Sequence, residues 1–394
     1  MFIKTFIRWL YSDLNSELVK AVTVGNYIKV QECLEKGANP NLLFIKSCAQ
    51  GLVKVVRLMI KHGANIEVEN GLPLLTATHN NKFYIVKLLL DSGAKITDSA
   101  FMVSFNLKNS HITELFLEYG CDPNLLNGEP LKRACLSQNI ELIDLLIKKY
   151  KVNININNGS ILSACIKHRV YSSIQHLLVR RAYINFPNVL QELAKYKDNI
   201  KFIKNLTMSY KINLNLLFIY SCCETNLALC DYLLNRGVDI NIANGEPLCM
   251  SISNKNYETF FYLIRKNINV NISNGRPLKL ACELGDLFFV KFLLHHNAFI
   301  NISYCLHIAV KNKHTGVIDV LLLHELITVN YSTIYLACIQ ENVPLLKRLL
   351  QLAGDFDYTD FVSNVKNEEI KFLLLEHMYC NRTYLKNTNK ICYG

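Results

Sequence analysis

The sequence predicts an all-α solenoid: stacked helix-turn-helix units with short β-hairpin fingers. Three observations predict it. A phrase recurs: "NGLPLLTA" from Asn70, "NGEPLKRA" from Asn127, "NGSILSA" from Asn158, "NGEPLCMS" from Asn244 and "NGRPLKLA" from Asn274. A turn recurs with it: "GANPN" at Gly37, "GANIE" at Gly63, "GAKIT" at Gly93, "GCDPN" at Gly120 and "GVDIN" at Gly237. Degenerate copies start at Lys151, Arg181, Lys211, Asn267 and Asn297, so the steps along this ladder are 26 to 31 residues. Finally, the apolar runs between turns are only two to three helical turns long. Helices that short are not stable alone, and stacking on neighbours is what buries their faces.

The elements follow in chain order. Phe2, Ile3, Phe6, Ile7, Trp9 and Leu10 are spaced for an amphipathic helix over 1–15 that covers the open end of the array. A membrane-surface helix or a docking helix for a partner is the alternative use of the same pattern. About twelve repeats occupy 16–360. Residues 127–152 illustrate one. Asn127-Gly128 suits a tight hairpin turn with positive φ. Pro130 takes the first position of a helix, where its missing N–H costs nothing. Leu131, Ala134 and Cys135 form one apolar face. Gln138-Asn139 break the helix, and Leu142, Ile143, Leu145 and Leu146 start the second one. The short units, 37–63, 93–120 and 211–237, lack the Asn-Gly phrase and are expected to have trimmed fingers. Two weaker copies end near Glu325 and Gly354. A capping repeat follows over 361–380, with its last helix over 368–377, and then a basic flexible tail over 381–394 carrying Arg382, Lys386 and Lys390.

Composition excludes several classes. The chain has 394 residues, 51% of them hydrophobic and 19% charged, with 16 Gly and 8 Pro. A disordered polar chain lacks that much apolar surface, and a collagen-like chain needs far more Gly. Lys4 and Arg8 interrupt the apolar N-terminus, so no signal peptide is expected. No stretch reaches about 18 uncharged apolar residues, so no transmembrane helix is expected. The chain is expected to be intracellular, cytoplasmic and monomeric. The 14 cysteines do not read as a disulfide framework. Cys135, Cys165, Cys223, Cys282 and Cys338 recur after a small residue, as a small soft side chain packed between helices does. No CxxC pair or zinc-finger spacing occurs, and no cofactor or metal is expected.

Hairpin, helix, break, helix and Gly-Ala turn together resemble the ankyrin repeat, over nearly the whole chain. "VVRLMIKHGA" at residues 55–64 and "IVKLLLDSGA" at 85–94 match the second half of the family's pattern. Pro73, Pro130, Pro247 and Pro277 hold its proline position. The Thr before that proline is replaced by Leu72, Glu129, Glu246 and Arg276, and its His survives once, as His307 in "CLHIA". In the family that Thr caps the first helix and bonds the His, so most repeats here lack the pair. Glu129 and Glu246 are a weaker substitute at the helix N-terminus. The Asn/Ile/Lys/Tyr-rich repeats with "NGxPL" also resemble ankyrin proteins of large DNA viruses. No F-box segment, as in poxvirus relatives, is recognisable in the last 40 residues.

No catalytic motif appears: no phosphate loop, no GxSxG, no HExxH. His295 and His296 are adjacent on a helix and point about 100° apart, so they do not converge on one metal. His307 has no nucleophile or carboxylate near it in sequence, and Cys305 reads as core. Phe260, Phe261 and Tyr262 recur as Phe288, Phe289 and Phe292 at equivalent places, which reads as inter-repeat core. The resemblance implies a non-catalytic scaffold that binds another protein through its concave face, formed by the fingers and the exposed side of the first helices. That side carries Lys46, Lys132, Arg133, Lys167, Lys279 and Lys311 against Glu192, Glu224 and Glu283. An acidic protein surface is the expected partner, on a host protein if the viral resemblance holds. The net charge of +11 allows a nucleic-acid-binding protein as the alternative, but the cations are dispersed and no nucleic-acid motif accompanies them, which argues against it.

Overall fold

The computed structural model describes residues 2–106, 110–298 and 302–391, with side chains described from 13 to 379. Among the described residues twenty-six α-helices follow one another, and no strand forms beyond one isolated bridge between Val329 and Ala353. The helices pair as first and second members of repeats. Phe44–Gln50 pairs with Val53–Lys61, for example, and Ile242–Ser253 with Tyr257–Arg265. First helices stack on first helices and second on second. The chain divides into two compact units, Met1–Glu192 and Leu193–Gly394, each a stack of this kind.

Local rules account for each pair. Leu131, Ala134 and Cys135 on the first helix and Leu142, Ile143 and Leu146 on the second are 0–1% exposed. Removing such faces from water is the main favourable term, roughly 25 cal/mol per Å² of apolar surface. The break at Gln138-Asn139 is built as the sequence suggests. Gln138 takes φ 56, and the Asn139 Oδ1 accepts from the Leu142 N–H at 3.1 Å, capping the second helix. Asn226, Asn256 and Asn342 cap their second helices in the same way.

Among the described residues the hairpin fingers do not form as paired strands. Each Asn-Gly phrase instead makes a left-handed turn of three residues: Leu126, Asn127 and Gly128 have φ 48, 57 and 86. Glu69-Asn70-Gly71, Asn157-Asn158-Gly159, Ala243-Asn244-Gly245 and Ser273-Asn274-Gly275 repeat the conformation. The positive φ read from Asn-Gly is correct, but no strands flank it. The turn swings the chain directly from the end of one connection into the next first helix, and in four of the five a proline (Pro73, Pro130, Pro247 or Pro277) then enters the helix in its first turn.

The ends differ from expectation as well. The first helix spans Phe2–Val24, so the expected cap over 1–15 and the first repeat's own helix are continuous. The side chains of the expected cap, Trp9 included, lie outside the described residues. The final helix runs Glu368–Ile391, past residue 377, so the backbone of 381–391 is helical. The side chains of Arg382, Lys386 and Lys390 lie outside the described residues.

All described cysteines are free thiols. Cys135, Cys165, Cys282 and Cys338 are buried as expected, but in "SCC" the buried position belongs to Cys222, and Cys223 is only half-buried. The aromatic pairs also split. Phe260 and Phe289 are fully buried with ring centroids 4.8 Å apart, whereas Phe288 is 42% exposed.

Candidate protein-interaction face

The six expected contact residues all lie on first helices. Lys46, Lys132, Arg133 and Lys167 belong to the unit Met1–Glu192, and Lys279 and Lys311 to Leu193–Gly394. Their surroundings differ. Lys132 Nζ lies 3.1 Å from the Glu129 carboxylate, and Arg133 Nε 3.4 Å from its other oxygen. Arg133 also donates to the Met102 carbonyl at 3.4 Å. The single Glu129 carboxylate thus offsets one of these two positive charges inside the repeat. Lys46, Lys167 and Lys311 are exposed and make no ion pair among the described residues. Glu69, Asp98, Glu129 and Glu246 share the first helices with the cations, so the positive excess there is smaller than the sequence tally implied. The i,i+3 and i,i+4 spacing from Glu129 to Lys132 and Arg133 was the available signal.

Lys279 has the most developed setting. Its ammonium sits 4.9 Å from the ring centroid of Tyr304, on the next first helix. Both line an open groove of about 780 Å³ that crosses the helices Ile242–Ser253, Ile272–Leu284 and Ile302–Lys311. Met250 and Leu280 supply apolar lining, Glu283 an exposed acid, and Arg276 and Glu246 a closed ion pair at 2.8 Å. The wall is mixed, with Ser253, Ser273 and Asn274 beside the apolar groups, so the groove is an open polar surface depression and not an enclosed apolar pocket.

Aromatic side chains continue along the same face. Tyr304 stacks against His307 at 6.3 Å and 12°, and Tyr335 packs on Phe361 at 4.7 Å. Tyr304 and Tyr335 are 47% and 41% exposed. Sequence reasoning missed them because tyrosine at a helical spacing reads as core. His307 points its Nδ1 at the Ser332 and Thr333 hydroxyls of the next repeat, each 3.4 Å away. Burial, then the charge of Lys311, lowers its pKa from the ordinary value, so at pH 7 it is a neutral packing group.

The other titratable groups singled out in the sequence stand in packing settings among the described residues. The pair His295–His296 has ring centroids 5.4 Å apart at 76°, and His296 stacks on Phe292. No group of three His, Cys, Asp or Glu side chains among the described residues is placed to hold a metal ion. Burial pushes the Cys48 and Cys338 thiols up to about 12, so neither is a thiolate nucleophile at neutral pH. Among the described residues no helix is long and apolar enough to cross a membrane.

A family profile described as "Ankyrin repeats (3 copies)" matches residues 12–100 and 217–304. The chain carries ankyrin repeats. The repeats match in both units, which agrees with helix pairing throughout. A relative of the same kind, an ankyrin repeat protein of Fowlpox virus (strain NVSL), is 22% identical over 240 residues, 53% of this chain and 69% of the relative. Ankyrin repeats are protein-interaction modules. That coarse role comes with the repeats.

Proposed function

We propose that the chain is a non-catalytic scaffold of viral type that holds a host protein on the first-helix face of its ankyrin repeats. One observation carries the reading: the groove of about 780 Å³ where Lys279 and Tyr304 meet, continued by Tyr335 and Phe361. Tyrosine and basic side chains in a half-open pocket are the usual anchors of an interface. The stacked helices hold them in fixed places, which lowers the ordering cost of binding. Lys46, Lys167, Lys279 and Lys311 favour a partner with an acidic surface, and Lys132 and Arg133 contribute less because the one Glu129 carboxylate they share offsets half of their charge. The fowlpox relative supports the viral assignment.

The test is affinity capture from host-type lysate, with and without nuclease, using the unaltered chain and two variants. Lys279→Glu with Tyr304→Ala removes the groove's anchors, and Lys291→Glu places a like change on a second helix. A protein retained by the unaltered chain and by Lys291→Glu, but lost by the groove variant, supports the reading. Equal retention by all three removes it. Loss of all bound material to nuclease instead supports nucleic-acid binding.

A further inference from the structure

A second surface lies on the second helices of the unit Leu193–Gly394 and shares no residue with the groove. Counting those helices from their capping residues brings it out. Where two second helices lie side by side, the fifth residue of the earlier one meets the sixth residue of the later one. Asp144, fifth after Asn139, faces His176, sixth after Val170, at 2.6 Å. Asp231, fifth after Asn226, accepts from the hydroxyl of Tyr262, sixth after Asn256, at 2.9 Å. Asp319, fifth after His314, pairs with Arg348, sixth after Asn342. Each of these seams is closed by an aspartate and a polar partner, as suits a face open to water.

The seam between the helices Tyr257–Arg265 and Leu287–His295 is built otherwise. Its fifth and sixth residues, counted from Asn256 and Asp286, are Phe261 and Phe292, with ring centroids 5.3 Å apart. One turn earlier Tyr257 and Phe288 meet at 5.1 Å, and Phe288 also lies 6.0 Å from Phe261. One turn later His296 stacks on Phe292 at 4.1 Å, and Arg265 ends the facing row. One row is therefore Tyr257, Phe261 and Arg265, and the other is Phe288, Phe292 and His296. Tyr257 and Phe288 are each 42% exposed, Leu287 beside them is exposed too, and Phe261 and Phe292 are half-buried.

Packing of the repeats accounts for the inner rings only. Phe260 and Phe289 fill the interior between the same two helices. The outer rings stand where the sister seams set polar pairs against water, and an exposed apolar cluster of that kind marks an interaction site. The two rows contain no carboxylate and one permanent charge, the Arg265 guanidinium. Arg265 is exposed and makes no ion pair among the described residues. The cluster is also small. Each helix has nine residues, so the seam is about 13 Å long. A strip of that length and two helices wide is a small fraction of the roughly 800 Å² per partner that a stable dimer buries.

We propose that this seam docks one short amphipathic helix of a partner protein. Its apolar side chains, at i and i+4, lie against the rings of Tyr257, Phe261, Phe288 and Phe292, and a carboxylate one turn beyond them meets Arg265. Size selects a short helix: about two turns cover the seam, whereas a second copy of the chain needs more surface than the seam offers. Charge selects an acidic one, because the guanidinium is the sole permanent charge in the two rows and lacks a counter-ion. An amphipathic helix lays its apolar face into such a groove through residues three and four apart, and leucine and methionine both pack well on aromatic rings. The seam does not depend on the first-helix groove, and either site can fail without the other.

The test selects binders to the full chain from a phage-displayed library of short helical peptides, randomised in apolar and charged positions, and measures the enriched peptides by fluorescence anisotropy. They are expected to share apolar residues at i and i+4 with an aspartate or glutamate one turn beyond. They are also expected to bind the groove variant, Lys279→Glu with Tyr304→Ala, as well as the unaltered chain. Phe261→Asp with Phe292→Arg rebuilds the ionic seam of Asp319 and Arg348, and is expected to lower their affinity about tenfold or more with an unchanged circular dichroism spectrum. Phe288→Gln tests the same claim at an exposed ring and is expected to lower it in the same direction. Arg265→Glu is expected to weaken the acidic peptides about tenfold and to favour copies with lysine in place of the acid. The proposal is overturned if no peptide is enriched, if the enriched peptides bind Phe288→Gln like the unaltered chain, or if Arg265→Glu leaves their affinity unchanged. It is also overturned if the chain sediments as a dimer that Phe288→Gln dissociates, which makes a second copy the occupant.

Discussion

At the scale of single residues, Asp144 shows how a repeat spends its charge. It sits where the helix Ile140–Asp144 passes into the π-turn Leu145–Lys149. Its carboxylate meets Lys148 at 2.8 Å, His176 Nε2 at 2.6 Å and the Arg180 guanidinium. Burial raises its pKa, but the hydrogen bonds from Lys148 and His176 and the charges of Arg180 and His176 outweigh that, and the net shift is downward. A carboxyl with a depressed folded pKa contributes stability above its unfolded value of about 3.9 and loses it as the pH falls below that value. Asp144→Asn is therefore expected to cost about 0.5–1 kcal/mol at pH 7, the scale of a partly exposed ion pair. The deficit shrinks as acid protonates Asp144 in the unaltered chain, which thermal melts between pH 7 and pH 3 measure. Gly128 is the other informative residue. It has φ 86, and a Cβ there meets Ile156 Cγ2 at 2.9 Å. Gly128→Ala is expected to destabilise by about 1–3 kcal/mol, since both the left-handed conformation and the neighbouring repeat resist it. Urea unfolding reads this directly.

At the scale of the element, the Asn-x-Asn turn is the device that links repeats. Its first residue folds the turn on itself: the Asn39, Asn153, Asp239 and Asn269 side chains accept from the backbone N–H two residues on, at 2.9 Å. Its second residue reaches forward. The Asn41 Oδ1 accepts from the Asn65 N–H at 2.7 Å, Asn155 from Tyr183 at 2.8 Å and Asn241 from Asn269 at 2.8 Å. Asn15 does the same for Asn39 at the start of the array. The motif was legible as a ruler, but its two roles were not, because a forward bond joins residues 24 to 28 positions apart. The left-handed turns were half legible for a similar reason. Asn-Gly announces positive φ, while the choice between hairpin and left-handed turn depends on what packs around Gly128 and Gly245. Asn241→Ala is expected to remove a cross-repeat bond worth about 0.5–1.5 kcal/mol. It is also expected to speed hydrogen exchange at the Asn269 amide more than at amides within the helix Leu227–Asn235.

At the scale of the whole molecule, repetition made the fold legible and left the site obscure. Leu131, Ala134 and Cys135 announce a buried face because the same residue types recur at that place in other repeats. A contact residue does not recur, and its value depends on neighbours supplied by other repeats. Lys132 and Lys279 look alike in sequence, yet Glu129 pairs with the first and Tyr304 presents the second. Charge acts at this scale too. With a net charge of +11, association with an acidic partner is expected to weaken with added salt. Lys279→Glu is expected to lower the affinity about tenfold or more and to flatten that salt dependence, as titrations at several ionic strengths measure. The central claim is that a partner docks on the first helices of the unit Leu193–Gly394. Hydrogen-exchange mass spectrometry of the chain with and without its captured partner tests it most directly. Protection concentrated in Ile272–Leu284, Ile302–Lys311 and Tyr331–Ile339 is the predicted result. Protection confined to second helices, with those three segments unchanged, contradicts it.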